Sequence, residues 1–260
     1  MSHIITVHSY RGGTGKSSTA ANLALLLAAK GRRVAVVDTD IQTPTLDVMF
    51  DLGEPPLRRS LTDYLIGSCE IEDAAYPART YIGNDGLFLV PARSRTAGIG
   101  EIMGRGYDVG LLREGFDRLL DSLALDLLLL DTHAGFNNET VTAMASSDIL
   151  LIMTRADRLD LASARETTAL VDRLGCVRRN IVVNMAPEGA DHDKLRAKAE
   201  AAYGSPITAV LPYAPEMAAL AGERLITTAY PHHRLVAGYR EVLAAIADGT
   251  PVARRLSTWA

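Results

Sequence analysis

Residues 9–18 read SYRGGTGKSS and lie between an apolar stretch and a helical stretch of the chain. The stretch before them, IITVH at residues 4–8, is rich in β-branched residues and predicts a buried strand. The stretch after them, residues 16–30, carries alanine and leucine at helical spacing. A glycine-rich loop between a strand and a helix N-terminus turns backbone N–H groups toward a phosphate. The loop therefore predicts a phosphate-binding site in an α/β fold.

The side chains of this loop predict how a nucleoside triphosphate is held. Lys16 can reach the β- and γ-phosphates, and the Ser17 hydroxyl can bind Mg²⁺. The N-terminus of the following helix adds a partial positive charge at the same place. We expect the nucleotide to contact the loop residues Arg11, Gly12, Gly13, Thr14, Gly15, Lys16, Ser17 and Ser18.

The loop departs from the usual pattern G-x-x-x-x-G-K-[ST], because Tyr10 stands in place of the first glycine. It fits K-G-G-x-G-K-[ST] instead, with Arg11 in place of the first lysine. This variant resembles the loop of the deviant Walker A ATPases, the MinD/ParA family. In that family the first lysine reaches across a nucleotide-sandwich dimer to the partner's phosphates. The resemblance implies the same part for Arg11, which keeps the charge and adds a planar fork.

Composition favours a folded domain of ordinary size. The chain has 260 residues, of which 48% are hydrophobic, enough for one large core or two small ones. No Pro/Gly/Ser-rich linker and no internal repeat divides it. We therefore expect a single P-loop domain over residues 1–250 and a short C-terminal tail over 251–260. The net charge of −4 gives no overall attraction to nucleic acid or to an anionic membrane.

The cysteines and the N-terminus indicate a cytoplasmic protein. Cys69 and Cys176 belong to no CxxC or CxC pair. Such isolated cysteines are typical of reduced thiols, and they argue against a cysteine-ligated iron–sulfur cluster. The chain enters its first strand without a signal peptide, and its longest apolar runs are too short to span a bilayer.

Apolar runs alternate with helical patterns along the chain. We expect strands at 3–9, 33–38, 87–91, 125–131, 148–153, 180–184 and 207–211, and helices at 16–30, 110–123, 138–146, 160–174, 191–203 and 232–247. Continuous runs such as the four leucines of 127–130 indicate burial on both faces. The alternation predicts right-handed crossovers and a mostly parallel, twisted sheet of about seven strands with helices on both faces, as in P-loop NTPases.

Polar residues stand where three of the predicted strands stop. Asp38 and Asp40 follow the second strand, Asp131 ends the fourth and Asn184 ends the sixth. Ligands of a parallel sheet bind beyond the carboxyl ends of its strands, the edge that also carries the loop at 9–18. Asp131 follows four leucines, and a carboxylate placed there holds Mg²⁺ in P-loop NTPases. We therefore expect ATP and Mg²⁺ as cofactors.

Further segments carry the resemblance to the MinD/ParA family along nearly the whole chain. Residues 131–135, DTHAG, are similar to the D-x-P-A-G switch of MinD, with His133 where the family commonly has proline. Residues 38–42, DTDIQ, resemble the ParA switch. Residues 61–67 and 87–92 resemble the MinD segment after the first switch and its L-x-x-[LV]-P-A strand. The balance favours the MinD side of the family.

This resemblance implies roles for the carboxylates. Asp40 would orient or activate the attacking water, and Asp38 would support a magnesium shell with Ser17 and Asp131. A carboxylate near the γ-phosphate can help only where Mg²⁺ and Lys16 offset the repulsion. The expected catalytic residues are Asp40, Lys16 and Arg11.

The purine is expected near the ends of the last two strands. An asparagine at a strand end contacts the base in the family, which implies that role for Asn184. The segment LPYAPE at residues 211–216 resembles the family's P-x-x-P segment near the purine, so Pro212 joins the expected nucleotide contacts. A lone histidine in a switch loop is usually a hydrogen-bonding or dimer-contact residue, which is our reading of His133. His232 and His233 have no third ligand at metal-binding spacing and are expected at the surface.

Two partner surfaces follow from the two branches of the family. In the tail, Val252, Leu256 and Trp259 could share one face beside Arg254 and Arg255, as in a membrane-docking helix. A packed or frayed tail is the favoured interpretation, since three apolar groups bind a membrane weakly. A DNA-binding patch would use a basic set diluted by acidic neighbours, so a solvated helix face is favoured there; the set is Arg178, Arg179, Lys194, Arg196 and Lys198.

The leading hypothesis is an ATPase switch. ATP and Mg²⁺ would drive homodimerisation, and slow hydrolysis, stimulated by a protein partner, would reset it. The output would be the positioning of a cargo, a division site or an assembly in a bacterial cytoplasm, at the membrane or the nucleoid. A nucleotide-dependent scaffold or regulatory adaptor with little hydrolysis is the alternative that Arg11 keeps open. A ligase of the dethiobiotin-synthetase kind is less favoured, because no second-substrate motif is evident.

Overall fold

A central β-sheet organises the computed structural model, which describes residues 2–51, 57–78, 86–93, 108–175 and 178–247. Over those ranges the sheet has eight strands. They are β1 His3–His8, β2 Val34–Asp38, β3 Tyr76–Pro77, β4 Leu87–Val90, β5 Leu127–Asp131, β6 Ile149–Thr154, β7 Arg178–Ala186 and β8 Ile207–Pro212.

The strand order across the sheet is β3-β4-β2-β5-β1-β6-β7-β8. All neighbours are parallel except β3 and β4, which pair antiparallel through Tyr76 and Pro77. The seven predicted strands are confirmed, and β3 is an additional short edge strand. Its proline suits an edge, because proline cannot donate a hydrogen bond to a further strand.

Helices cover both faces of the sheet. The six longer ones are α1 Lys16–Ala29, α4 Leu111–Ser122, α5 Asn138–Ser146, α7 Ala164–Leu174, α8 His192–Tyr203 and α11 Arg234–Ala247. Short helices α2 Leu46–Met49, α3 Leu61–Leu65, α6 Arg158–Ala162, α9 Glu216–Ala219 and α10 Ile226–Ala229 lie in the connections, with a 3₁₀ turn at Ile71–Ala74. The predicted helices are confirmed, except that 160–174 is two helices, α6 and α7, which meet at Ser163.

Successive strand residues alternate between two apolar cores. Ile5 of β1 packs in the core that α1 and α11 cover, whereas Ile4 packs on the opposite face with Phe116 of α4. A third cluster joins Ile152 of β6 to the helices α5, α7 and α8. Burial on both faces explains the unbroken apolar strands. This layering fixes the carboxyl ends of β1, β2, β5 and β6 at one edge.

Some sequence predictions lie outside the described residues. These are Cys176 and the tail at 251–260. Cys69 is a partly buried free thiol, and burial raises its pKa to about 11. Among the helices of the described ranges, none combines the length and the apolar character needed to cross a membrane. A single domain over residues 1–250 stays a prediction.

Candidate functional site

Residues 9–18 follow β1 directly, and α1 begins within them at Lys16. Gly13 and Gly15 have φ values of 75° and 85°, a region that favours glycine. A Cβ at Gly15 would lie 2.5 Å from Asn184 Nδ2, so a side chain is excluded there sterically as well. The glycines at these two positions are therefore required by the backbone path of the loop.

A cavity of about 450 Å³ opens beside this loop. The loop and the start of α1 form one wall, and residues near α2 form the other. Sequence reasoning did not single out this second wall, which consists of Pro44, Thr45, Val48, Met49 and Gly222. Val48 of this wall is apolar and 58% exposed. The cavity is the candidate nucleotide site, and Gly13, Gly15, Lys16, Ser17 and Ser18 line it.

Two buried carboxylates meet at the sheet edge next to the cavity. Asp38 of β2 pairs in register with Asp131 of β5. Burial raises the pKa of Asp131 to about 7, although a hydrogen bond from Ser17 and the charge of Lys16 act in the opposite direction. Burial also raises the pKa of Asp38, and the charge of Asp131 adds to the effect. Such a pair is costly unless a cation or protons compensate it.

The donor chemistry of this pair fits Mg²⁺. Asp131 Oδ1 is buried and has no hydrogen-bond partner among the described residues. The Ser17 hydroxyl contacts the same carboxylate. Hydroxyl and carboxylate oxygens are the ligands that Mg²⁺ prefers, alongside phosphate and water. Asp38 differs, because its oxygens already accept hydrogen bonds from the backbone N–H groups of Asp40, Thr45 and Leu46. Its carboxylate therefore holds the segment after β2 in place.

Asp40 lies at the junction of the two predicted switch loops. Thr43 donates to both of its oxygens, through the backbone N–H and the hydroxyl, each at 2.9 Å. His133 Nδ1 lies 3.0 Å from Asp40 Oδ2. Burial acts to raise the pKa of Asp40, but the bonds from Thr43 and His133 outweigh burial and lower it. Asp40 is therefore a well-anchored carboxylate.

Arg11 is held inside its own subunit. Its Nε lies 3.2 Å from Asp160 Oδ1, and the Asp160 side chain is almost completely buried. Arg155 binds the other oxygen of that carboxylate through its backbone N–H at 2.9 Å. The sequence did not point to Asp160. It follows the end of β6 by six residues, so the rule that sites lie beyond carboxyl strand ends could have indicated it.

Asn184 lies against the phosphate loop. Its Nδ2 donates to the Thr14 carbonyl at 2.8 Å, and its Oδ1 accepts from the Met185 N–H at 2.9 Å. Pro212 ends β8 and pairs in register with Ala186 of β7. The structure therefore shows Asn184 supporting the loop, while a contact of either residue with the purine stays a prediction.

An aromatic stack joins the phosphate loop to the second switch. Phe136 stacks on His8 with ring centroids 5.3 Å apart, and Tyr10 meets the same ring edge-on at 5.5 Å. His8 is completely buried, and burial lowers its pKa to about 3, so it is neutral and no general acid. This stack could not be predicted from local spacing, because Phe136 is far from His8 and Tyr10 along the chain.

Most of the proposed basic surface is engaged within the subunit. Arg178 and Arg196 donate to backbone carbonyls at Ile246 and Ile207. Further partners are Asp172 for Arg179, Ala156 for Lys198 and Asp191 for Lys194. Among the histidines predicted at the surface, His232 is exposed, whereas His233 is partly buried and lies 3.3 Å from Glu216.

The parallel sheet and the glycine-rich loop, with buried carboxylates at the same edge, define a P-loop NTPase. The family model described as an AAA domain, AAA_31, matches residues 2–182. An uncharacterized ATP-binding protein of Methanocaldococcus jannaschii, MJ0547, is 30% identical over 95% of this chain and 88% of its own length. The chain belongs to the MinD/ParA family of P-loop ATPases.

Two further relatives extend the comparison. The antiactivator FleN of Pseudomonas aeruginosa is 31% identical over 75% of this chain and 66% of its own length. The structure of the cell division ATPase MinD of Pyrococcus furiosus superimposes with a TM-score of 0.79 at 25% identity, over 95% of this chain and 99% of that one.

Proposed function

We propose that this chain is an ATP-dependent dimerisation switch that hydrolyses ATP slowly and positions a cargo, a division site or an assembly in the cytoplasm of a bacterial cell. The observation that carries the proposal is the buried Asp131 Oδ1, which lies beside Lys16, Ser17 and the phosphate loop and has no hydrogen-bond partner in the part of the chain that the structure describes. A buried carboxylate oxygen in that position favours a cation beside it, and the magnesium of a bound nucleotide would supply one.

Each residue at this edge has a part in binding the nucleotide. Lys16 would neutralise the β- and γ-phosphates, while the loop N–H groups cradle them. Ser17 and Asp131 would hold Mg²⁺, with Asp38 ordering the segment behind it. The metal would withdraw charge from the phosphoryl oxygens. Asp40 would orient the attacking water.

Arg11 would provide the link between nucleotide and dimer. In the isolated chain its charge is satisfied by Asp160, while its side chain remains 42% exposed. An exposed guanidinium can exchange one anion for another at small cost, since it is desolvated only in part. We infer that Arg11 leaves Asp160 and binds the phosphates of a second copy when ATP is present. The planar guanidinium can bind two phosphate oxygens at once, which favours arginine for this step.

The positioning role rests on the relatives. One is a cell division ATPase and another is an antiactivator. We propose a homodimer that a protein partner stimulates, or that carries a protein cargo. A membrane or nonspecific DNA is the weaker candidate surface, because the basic residues of α8 are largely paired within the subunit.

A regulatory adaptor with little hydrolysis is the second candidate. Three hydrogen bonds already occupy the Asp40 carboxylate, which limits its freedom to take up a water. The relationship to FleN, an antiactivator, agrees with such a use of the fold. In the adaptor, ATP binding would set the oligomeric state, and ATP hydrolysis would not be needed.

Phosphate release in the presence of ATP and Mg²⁺ separates these candidates. We expect slow, steady release from the wild-type chain and none from Asp40→Ala, with ATP still bound by both proteins. Asp193→Ala, an exposed carboxylate on α8, is the matched control and should hydrolyse ATP at the wild-type rate. ATP binding without release from the wild type would favour the adaptor. Absence of ATP binding would contradict both candidates.

A further inference from the structure

His133 connects the two switch loops through its side chain. Switch I is residues 38–42 and switch II is residues 131–135. The only ion pair or side-chain hydrogen bond between described side chains of the two loops joins His133 Nδ1 to Asp40 Oδ2 at 3.0 Å. Both side chains are partly sheltered from water, with 29% and 15% exposure. The contact is therefore neither a fully exposed surface pair nor a fully buried one.

The contact limits how Asp40 can face a water molecule. An ionised carboxylate offers about four acceptor positions, two on each oxygen. Thr43 N–H takes one on Oδ1, while the Thr43 hydroxyl and His133 together take two on Oδ2. One acceptor position remains, and it lies on Oδ1. His133 thus decides which oxygen of Asp40 is available to accept a hydrogen bond from water.

Hydrogen bonds hold the switch II residues on either side of His133 in place. Thr132 donates to the Val7 carbonyl of β1 through its hydroxyl at 3.1 Å. The Gly135 N–H donates to the Ser9 carbonyl at 3.1 Å. On the other side, the Thr39 hydroxyl of switch I donates to the Asp131 carbonyl at 2.8 Å. Because these bonds hold the residues around His133 in place, its imidazole can transmit the position of one switch to the other.

The direction of the hydrogen bond follows from the acceptor. Both oxygens of Asp40 already act as acceptors, Oδ1 from the Thr43 N–H and Oδ2 from the Thr43 hydroxyl, as a carboxylate does. Nδ1 of His133 must therefore carry the proton. An asparagine amide nitrogen lies at a similar distance from its backbone and can donate in the same way, whereas alanine cannot.

We propose that His133 is a positioning residue for ATP hydrolysis, which holds Asp40 with one oxygen free for the attacking water and couples switch II to switch I. This inference rests on the proposed function, because Asp40 must be the residue that orients water. His133 does not touch the reacting atoms in this scheme. It acts only through Asp40.

The test compares steady-state hydrolysis of radiolabelled ATP, with Mg²⁺, over a range of ATP concentrations in four proteins. We expect His133→Ala to lower kcat about 10- to 100-fold, as misplaced catalytic groups do, while KM and ATP affinity change less than about threefold. His133→Asn should restore most of the lost rate. His232→Ala, an exposed histidine outside both switches, should match the wild type. Thermal unfolding of each protein confirms that the fold is kept.

Comparison of His133→Ala with Asp40→Ala separates the two levels of the proposal. If Asp40→Ala is inactive while His133→Ala keeps the wild-type kcat, the positioning role is wrong and the proposed function stands. If His133→Asn is as slow as His133→Ala, donation to Asp40 is not the cause and the inference also fails. If Asp40→Ala retains full activity, the assigned role of Asp40 fails, and the inference fails with it.

Discussion

Asp38 and Asp131 lie opposite each other on the neighbouring strands β2 and β5, and both are almost completely buried. Burial raises the pKa of both carboxyls, that of Asp131 to about 7. Two carboxylates placed together in this way favour either a proton or a cation. This pairing of two buried carboxyls therefore suits the site to the magnesium of a nucleotide.

This pair gives the unliganded protein an unusual dependence on pH. The carboxyl of Asp131 ionises near pH 4 in the unfolded chain and near pH 7 in the folded one. Between those values the folded state binds more protons, so its free energy of unfolding falls as the pH rises. Asp131→Asn should remove this contribution, which reaches about 1.4 kcal/mol per pH unit for one proton.

Urea unfolding from pH 4 to pH 7, without Mg²⁺ or nucleotide, measures the effect. Buried His8 has its pKa lowered to about 3 and contributes the opposite slope over part of this range. The difference between wild type and Asp131→Asn therefore reports Asp131 together with the effect of its charge on Asp38, and Asp172→Asn, an exposed carboxylate, is the control. Parallel stability curves for wild type and Asp131→Asn would show that Asp131 ionises normally in the fold.

Lys16→Ala should abolish nucleotide binding. Lys16 is only 8% exposed and lines the 450 Å³ cavity. Its positive charge acts to lower the pKa of Asp131, so it favours the ionised carboxylate. Without it the phosphates meet buried carboxylates with less compensation, and we expect affinity to fall about 100-fold or more. Titration with a fluorescent ATP analogue measures this. Lys194→Ala, at an 85% exposed side chain, should bind as the wild type does. A change below about threefold in Lys16→Ala would place the phosphates elsewhere.

Asp160→Asn should make dimerisation easier. The substitution weakens the ion pairs of Asp160 with Arg11 and with the Arg155 guanidinium, while the amide oxygen can still accept from the Arg155 N–H. We expect the ATP-dependent dimer to form about 10-fold more readily, because Arg11 no longer exchanges one anion for another. Sedimentation in the presence of ATP and Mg²⁺ measures the equilibrium, and Asp172→Asn, which breaks the surface pair with Arg179, should leave it unchanged. An unchanged or weaker dimer in Asp160→Asn would contradict the view that the ion pair between Arg11 and Asp160 opposes dimerisation.

Asn184→Ala should weaken ATP and GTP binding alike. The amide of Asn184 holds the Thr14 carbonyl, and its loss loosens the loop that binds phosphate, whatever the base. We expect about a 10-fold loss for each nucleotide, measured with fluorescent analogues of both. Asn180→Ala, earlier on the same strand, is the matched control. A loss confined to ATP would instead support the predicted contact with adenine.

The sheet could be predicted from the sequence, because burial on both faces produces unbroken apolar strands. The phosphate loop could be predicted from its glycine pattern. Strand β3 could not be predicted, since two residues carry no periodicity and one of them is Pro77. The break between α6 and α7 at Ser163 could not be predicted from the sequence either. Serine is compatible with a continuous helix, so the residue type at 163 does not indicate where one helix ends and the next begins.

Within the site, sequence position indicated which residues meet at the sheet edge but not which partners they take. Asp38, Asp131 and Lys16 converge as expected from the strand ends. The pairing of Arg11 with Asp160, and of Asp40 with His133, depends on loop conformations that no periodic pattern encodes. Such partners are separated by 93 residues or more, as for Asp40 and His133, so local spacing carries no trace of them.

The molar mass in solution of Asp40→Ala, with ADP and Mg²⁺ and then with ATP and Mg²⁺, tests the central claim most directly. This variant should bind ATP without consuming it, so the γ-phosphate is the only difference between the two samples. We predict a monomer with ADP and a dimer with ATP. The same mass in both samples would contradict an ATP-driven dimerisation switch.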